Sequence, residues 1–199
     1  MAMGEGLMGV GWPRAGVLFN LTLHPGFGLF WQSPALLLAL PGLVMMVRDP
    51  EHRRGGLVIL VAATGLLLVN SGYYMWWGGY AVGPRHLIPV LFLLGVPLAH
   101  AARRVPWPLL ALLTGVGVAQ MMIVTATEPQ LADAMTKRLD ELPLFGFSTI
   151  YSLAWPRLVA RELARNLGQV VLGLHGLRSL APPLVALAGA GVWLARRRA

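Results

Sequence analysis

The sequence has no cysteine and few acidic residues. Without cysteine it has neither a disulfide framework nor a thiolate metal site. Charged residues make up 12% of its 199 residues, and only eight are Asp or Glu, whereas about a quarter of a soluble domain is charged. It also lacks a dinucleotide-binding glycine motif, a phosphate-binding loop, a zinc-protease motif and a nucleophile elbow. These absences argue against a soluble enzyme, and we expect no metal ion and no cofactor.

Hydrophobic residues make up 56% of the chain, and its mean hydropathy is +0.65. A bilayer core requires about 20 mostly apolar residues as a helix. We therefore expect an all-α polytopic transmembrane helix bundle of about five spans, at residues 28–47, 56–71, 87–102, 106–125 and 180–195. The net charge of +8 comes from basic residues scattered between the apolar runs, so the expected partner is membrane lipid and not nucleic acid.

The basic residues of the short loops predict how these helices are oriented. Arginines cluster at 48–54, 103–104 and 196–198, and a five-span order places all three clusters on one side. Basic residues in short loops mark the cytoplasmic side. The expected regions are therefore an outward loop region at 1–27, four spans within 28–125, an outward amphipathic helical segment at 126–179, and a last span with a basic cytoplasmic tail at 180–199.

Two stretches of the outward segment have the residue spacing of amphipathic helices. The first has apolar residues three or four apart, at Leu131, Met135, Leu139 and Leu142. The second has arginines four apart, opposite an apolar face, at Arg157, Arg161 and Arg165. This spacing predicts helices that lie on the outer surface, where the arginines are solvated or rest on anionic head groups.

Residues 71–86 form a loop between two predicted spans, with five aromatic residues, four glycines and one arginine. Aromatic rings are typical of the membrane–water boundary, so one interpretation is an aromatic belt with a snorkelling Arg85. The other is a lipid-phosphate site, in which Arg85 binds the phosphate bidentately, glycines let backbone N–H groups approach, and the rings stack on a sugar or prenyl chain. The candidate substrate-binding residues of this aromatic loop are Trp76, Trp77, Tyr80, Gly83, Arg85 and His86.

A second loop, at residues 23–34, leads into the first predicted span. It is either a simple loop with a Pro-Gly turn and an interfacial Trp31, or a loop packed beside the aromatic loop. In the second case His24 or Gln32 reaches a polar ligand, and His24 joins the candidate substrate-binding residues. A lone histidine is weak evidence for catalysis, and the sequence identifies no catalytic residue.

Several motifs occur in an order that is similar to a known membrane family. They are Gly-Leu-Phe-Trp-Gln-Ser-Pro at 28–34, Leu-Pro-Gly at 40–42, Trp-Trp-Gly-Gly at 76–79, Gly-Pro-Arg-His-Leu-Ile-Pro at 83–89, and the region from Asn-Leu-Gly to Ala-Pro-Pro at 166–183. With these motifs the chain resembles the C-terminal half of bacterial polytopic glycosyltransferases of the GT-C class, which are phospholipid-carrier-dependent and protein-mannosyltransferase-like. The resemblance covers nearly the whole chain.

The resemblance implies transfer of a sugar from a polyprenyl-phosphate carrier to an acceptor at the outer face of the bacterial cytoplasmic membrane. It also implies that Arg85 contacts the carrier phosphate, and that the full protein has a catalytic acid in its first outward loop. The first outward residues of this chain hold only Glu5, so that acid is not carried over. We therefore expect a chain that is incomplete as an enzyme and needs a missing N-terminal half or a partner chain.

Two other functions compete with this interpretation. A transporter component would place ionisable residues within its spans, but the predicted spans are nearly free of charge, with His100 near a span end as the main exception. A non-enzymatic membrane subunit would scaffold a larger complex, and its small residues would pack against one another or against another chain. These small residues are Gly65, Gly95, Gly115, Gly117, Gly189 and Gly191.

Overall fold

The computed structural model describes residues 8–127, 129–130 and 148–196. Over these ranges the chain is helical and has no β-strand beyond two isolated bridges, which confirms the predicted all-α class. The described α-helices are α1 (Ala15–Thr22), α2 (Leu29–Gln32), α3 (Ala39–Arg48), α4 (Arg53–Gly72), α5 (Ile88–Ala102), α6 (Trp107–Thr127), α7 (Trp155–Val159), α8 (Leu167–Val170) and α9 (Ala181–Arg196). Short 3-10 helices lie at Pro34–Leu38, Arg85–Leu87 and Gly176–Leu180, and a π-helix lies at Thr149–Ala154.

Three helical segments of the described chain are long and apolar enough to cross a membrane. They are Arg53–Gly72, Arg85–Ala102 and Trp107–Thr127, of 20, 18 and 21 residues, with mean hydropathies of 1.8, 1.4 and 2.0. Each agrees within a few residues with a predicted span. The apolar runs alone were therefore sufficient to locate these three helices.

The first predicted span, 28–47, is wrong as a single helix. Helix α2 ends at Gln32, Ser33 adopts a non-helical conformation (φ −133°, ψ 75°), and the chain resumes as the 3-10 helix Pro34–Leu38 before α3. Proline has no N–H and disfavours the helical conformation in the preceding residue. The continuous apolar helix that remains, Pro34–Arg48, has a length between 10 and 17 residues. A bilayer core requires about 20 residues, so this helix is too short to cross it alone.

The last predicted span, 180–195, is a helix, but a short one. Helix α9 has 16 residues, which at 1.5 Å per residue extend over about 24 Å, whereas a bilayer core is about 30 Å thick. The described chain thus has three long apolar helices and two shorter ones, and the expected count of about five spans is not confirmed. Residues 197–199 of the basic tail lie outside the described residues.

The predicted arginine-faced helix of the outward segment is wrong beyond its first turns. Helix α7 ends at Val159, and Arg161 has a positive φ of 61°. Its N–H donates to the Leu158 carbonyl at 3.0 Å, and the next N–H, of Glu162, donates to the Arg157 carbonyl at 2.9 Å, which is the hydrogen-bond pattern of a Schellman motif. The three arginines therefore do not share a helical face. The other predicted helix, around Leu131 to Leu142, lies outside the described residues.

The two arginine-containing loops at 48–54 and 103–104 lie at the same end of the bundle, which we call the basic end. Helix α4 begins there and α5 ends there, so that the rings of His52 and His100 are 5.1 Å apart. The imidazole Nδ1 of His52 lies 2.8 Å from Oδ2 of Asp49. Since α4 and α5 are antiparallel neighbours, the aromatic loop between them lies at the opposite end.

This opposite end, which we call the aromatic end, joins the described parts of all three regions predicted to face outward. The N-terminal segment pairs with the end of α4, because the Gly11 N–H donates to the Gly72 carbonyl at 2.9 Å. Ala81 of the aromatic loop forms a bridge with Gln130, just beyond α6. The segment that follows α7 returns to α6 through an N–H of Ala164 that donates to the Ala126 carbonyl at 2.8 Å.

The tightest helix contact is between α3 and α5. Gly42 lies so close to the backbone of α5 that an added Cβ would overlap the Pro97 carbonyl oxygen. Of the six glycines predicted to pack, Gly117 contacts another segment, since its Cβ would lie 3.4 Å from the Gln32 carbonyl oxygen. A Cβ on any of the other five would meet no described atom within 4 Å: Gly65, Gly95, Gly115, Gly189 and Gly191.

Candidate functional site

The aromatic loop starts from a helix end that the N-terminal segment holds in place. Arg14 directs its guanidinium at the last carbonyls of α4, with Nε 3.4 Å from the Ser71 oxygen and Nη2 3.3 Å from the Tyr73 oxygen. A cation is favourable there because carbonyls at a helix C-terminus have no partner within the helix. The Tyr74 N–H also donates to the Gly9 carbonyl at 2.9 Å. Sequence reasoning missed Arg14, although it is the one arginine in the region before the first predicted span.

The centre of the loop is a turn at Gly78 and Gly79, whose φ angles are +81° and +80°. Glycine adopts this conformation without steric cost. The side chain of Arg85 lies over the turn: a Cβ on Gly78 would be 2.7 Å from its Cγ, and a Cβ on Gly79 would be 3.2 Å from its Nη2. Both glycines therefore supply the backbone angle, and Gly78 also leaves the space that the Cγ of Arg85 occupies.

Arg85 is exposed at the first turn of the candidate span Arg85–Ala102. Its side chain has no ion pair and no hydrogen bond with any residue in the described ranges, where the only carboxylate–cation pair joins Asp49 and His52. A guanidinium carries a rigid fork of donors that matches a phosphate or carboxylate bidentately. The described residues thus leave Arg85 available to an external anion at the aromatic end.

His86 lies beside the same turn. Its ring packs edge-on against Tyr73, with the ring centroids 5.6 Å apart, and its Cδ2 is 3.4 Å from the position of a Cβ on Gly78. Its Nε2 is buried and has no hydrogen-bond partner among the residues that the structure describes. Buried polar atoms normally have a partner, so an unsatisfied nitrogen next to Arg85 is a second feature of an incomplete polar site.

Of the five aromatic rings of the loop, Trp76 is buried and the other four are more accessible. Trp76 is 1% exposed and packs edge-on against Phe27 and Trp77, at centroid distances of 5.7 and 5.9 Å. It is a core residue here, so the predicted stacking of Trp76 on a sugar or prenyl chain has no accessible face. Among the predicted site residues, Trp77 is half-buried and Tyr80 is 54% exposed, so both rings have accessible surface that a ligand or lipid can contact.

The loop at 23–34 packs beside the aromatic loop, as one of the two interpretations predicted. Phe27 contacts Trp76, and the Gln32 amide donates to the Val82 carbonyl at 2.8 Å. His24 is 2% exposed, and its Nδ1 accepts a hydrogen bond from the Gly26 N–H at 2.9 Å. His24 and Gln32 thus make contacts within the protein, and a ligand contact of either stays a prediction.

Gly83 also takes part in this packing. A Cβ on Gly83 would overlap Oε1 of Gln32, so its role in the structure is to allow close approach of the two loops. The structure thus brings Arg85 and His86 together on the Gly78–Gly79 turn, whereas Trp76, Gly83 and His24 take part in packing within the protein.

An apolar groove lies apart from these residues, between α6 and α9. It has a volume of about 830 Å³ and includes none of the predicted site residues. We call it the α6–α9 groove, and its lining includes Ser33, Gly117, Ala119, Met121, Met122 and Leu184. It was not predictable from the sequence, in which α6 and α9 are ordinary apolar helices.

Comparison of the chain with protein-family models, with curated proteins and with solved structures gives no match. The resemblance to GT-C glycosyltransferases therefore stays a prediction from the motifs.

Proposed function

We propose that this chain binds the phosphate of a lipid head group through Arg85, at the aromatic end of a membrane helix bundle. The resemblance identifies that lipid as a polyprenyl-phosphate-linked sugar donor, and the chain as the C-terminal membrane portion of a GT-C-type glycosyltransferase. In this proposal the protein lies in the bacterial cytoplasmic membrane with the aromatic end outward, and the basic end and the C-terminus are cytoplasmic.

The observation that carries the proposal is the placement of Arg85. It lies at the first residue of a candidate span, which is the depth where lipid phosphates meet a membrane helix. Its side chain rests on two glycines of positive φ, which have no side chains of their own to separate the guanidinium from the loop backbone. Since no described residue neutralises it, an anionic head group is the partner that its chemistry favours.

The proposal assigns donor binding to this chain and not the complete transfer reaction. Transfer to a hydroxyl acceptor needs a general base within hydrogen-bond reach. The described carboxylates are Asp49 and Glu51, at the basic end, and Glu162, which is exposed on the turn after α7. None of these three contacts the Gly78–Gly79 turn, so no described carboxylate is placed as that base. We assign the base to a partner chain, to a further part of the protein, or to one of the carboxylates outside the described residues.

The test is a titration of the purified chain in detergent with polyprenyl phosphate. Charge-assisted hydrogen bonds contribute about 1.5–3 kcal/mol, so Arg85→Ala is expected to weaken binding by about ten- to a hundredfold. Arg85→Lys restores the charge without the bidentate geometry and is expected to give an intermediate affinity. Arg104→Ala removes an exposed arginine from the basic end and is the matched control, with unchanged affinity. Equal affinities of the Arg85→Ala variant and the parent chain, both folded by thermal unfolding, would overturn the proposal.

A scaffolding subunit is the second candidate, and the burial of α6 favours it. Only 11% of its apolar window is buried inside the chain, so most of its surface is available to another membrane protein. This candidate predicts that the chain purifies from its native membrane in a stoichiometric complex, and that Arg85→Ala does not alter the complex.

A further inference from the structure

We infer that the α6–α9 groove holds the hydrocarbon chain of the lipid whose phosphate binds Arg85. The inference rests on the proposed function, and it adds the part of the site that recognises the tail. The groove is open along its length and apolar, and it is formed by one candidate membrane span and one shorter apolar helix.

The position of the groove is the first argument. On α6 its walls run from Leu113 to Ala126, and on α9 they run from Pro183 to Leu187. Helix α6 ends at the aromatic end, where Ala81 pairs with Gln130, and α9 begins on the same side. The groove therefore occupies the half of the bundle next to the aromatic loop, where the tail of a lipid with its head group at Arg85 would lie.

The chemistry of the walls is the second argument. Met121 and Met122 supply flexible, polarisable side chains that adapt to an irregular chain. Two polar side chains at the groove are bound within the protein, because the Thr125 hydroxyl donates to the Met121 carbonyl at 2.7 Å and the Asn166 amide donates to Ser179 Oγ at 3.0 Å. Ser33 and Thr114 add two small hydroxyls, and none of the lining residues is charged. The volume of about 830 Å³ falls in the usual range of about 300–1,000 Å³ for ligand pockets, so the groove suits a hydrocarbon chain better than a charged head group.

The connection to Arg85 is the third argument. Ser33 lies on the groove wall, 3.6 Å from the position of a Cβ on Gly117. The neighbouring residue, Gln32, donates to the Val82 carbonyl, and Val82 is three residues before Arg85, which an extended chain covers in roughly 11 Å. The groove wall at Ser33 is thus linked to the loop that carries Arg85 through a single contact, between Gln32 and Val82. A long-chain lipid is long enough to reach from Arg85 to the groove.

The experiment compares two phosphates that differ in their tails. Polyprenyl phosphate has a chain that reaches the groove, whereas isopentenyl phosphate has the head group and one short branch. Ala119→Trp and Leu184→Trp each fill the groove from one wall, at positions that are exposed in the chain. Ala111→Trp is the matched control, because Ala111 is an exposed alanine of the same helix outside the groove. Arg85→Ala is measured in parallel.

We expect both groove variants to bind polyprenyl phosphate at least about tenfold more weakly, the loss that follows when about two methylene groups are left uncovered. They should bind isopentenyl phosphate with unchanged affinity, as should Ala111→Trp, while Arg85→Ala weakens the binding of both phosphates. Agreement between the two groove variants excludes a folding defect of one of them.

Three results would overturn the inference. If the groove variants bind polyprenyl phosphate normally while Arg85→Ala does not, the tail lies elsewhere and the proposed function stands. If Arg85→Ala binds both phosphates normally, the proposed function fails and the inference fails with it. If the groove variants change the number of chains per particle by light scattering and leave lipid affinity unchanged, the groove is occupied by a second copy of the chain.

Discussion

Helices α4 and α6 are similarly apolar, with mean hydropathies of 1.8 and 2.0. The share of the helix that is buried inside the chain nevertheless differs threefold between them. In α4, 33% of the apolar window is buried inside the chain, and in α6 only 11%. The region from α1 to α5 forms most of the core, whereas α6 and α9 leave a groove between them. Hydropathy therefore identifies helices that are stable in lipid, and close contacts decide which of them pack against protein.

The difference is visible at individual glycines. Gly42 of α3 lets the backbone of α5 approach to contact at Pro97, whereas Gly115 of α6 and Gly189 of α9 face no described atom within 4 Å. A small residue permits close approach but does not cause it. The partner surface must also fit, and in this chain it does so between α3 and α5.

The strongest test of this comparison adds one methyl group to a tightly packed glycine, Gly42, and one to a glycine without a close neighbour, Gly95. Gly42→Ala forces α3 and α5 apart, and such overpacking costs about 1–3 kcal/mol, so we expect a clear fall in the thermal unfolding midpoint in detergent. Gly95→Ala adds the same methyl group to α5 where no described atom is near, and it should raise stability slightly, by up to about 1 kcal/mol, because alanine favours the helix. Equal effects of the two substitutions would contradict the account of the packed region.

A second test uses two glutamines with nearly equal burial, Gln32 at 7% exposure and Gln120 at 6%. Gln32→Leu removes the donor to the Val82 carbonyl and leaves that carbonyl unpaired, at a cost of about 1–2 kcal/mol. Gln120 of α6 makes one bond, from its Nε2 to the exposed Tyr151 hydroxyl at 3.2 Å, and its Oε1 has no partner in the described ranges. Gln120→Leu should therefore be nearly neutral.

Chemical denaturation of both glutamine variants measures this difference directly. A Gln120→Leu variant that is destabilised as much as Gln32→Leu would show that the region around α6 is as tightly specified as the rest.

A smaller effect is expected at the turn after α7. Arg161 has a positive φ, which costs a non-glycine residue about 1 kcal/mol. Arg161→Gly relieves this cost, and the extra freedom of glycine in the unfolded chain offsets part of the gain, so we expect about 0.5 kcal/mol of stabilisation. Arg165→Gly is the control, since Arg165 is exposed and has no positive φ, and it should not stabilise. Thermal unfolding of both variants checks the sign.

The smallest effect concerns the pH dependence of the basic end. The hydrogen bond from His52, followed by that from the Glu51 N–H, lowers the pKa of Asp49 below its ordinary value of 3.8. A carboxyl with a lowered folded-state pKa stabilises the protein above its unfolded-state pKa, and this contribution is lost as the pH falls through the folded-state value. We expect a slight loss of thermal stability between about pH 5 and about pH 3 that Asp49→Asn reduces. An identical pH profile in the variant would show that the contact contributes nothing.

The sequence alone predicted the features that depend on the hydrophobicity of a whole run of residues. The apolar runs located α4, α5 and α6 to within a few residues, because each run is long and has arginines next to at least one of its ends. The association of the loop at 23–34 with the aromatic loop was also predicted as one of two interpretations, and the contact between Gln32 and Val82 confirms it.

Features that depend on a single residue's surroundings were not predictable. Pro34 interrupts an otherwise apolar run, and the consequence for Ser33 was overlooked. Arg161 occupies a left-handed position that glycine usually fills, so the sequence carried no signal for the end of α7. Trp76 and Trp77 are adjacent and chemically identical, and only the packing against Phe27 determines that Trp76 is the buried one.

The most direct test of the account is photo-crosslinking with a polyprenyl phosphate that carries a diazirine next to its phosphate. After irradiation and proteolysis, we predict adducts concentrated in residues 71–86 of the parent chain, at the aromatic end, and their loss in Arg85→Ala. Adducts concentrated instead at the arginines of residues 48–54 and 103–104, or adducts that persist unchanged in Arg85→Ala, would contradict the assignment of the head-group site to Arg85.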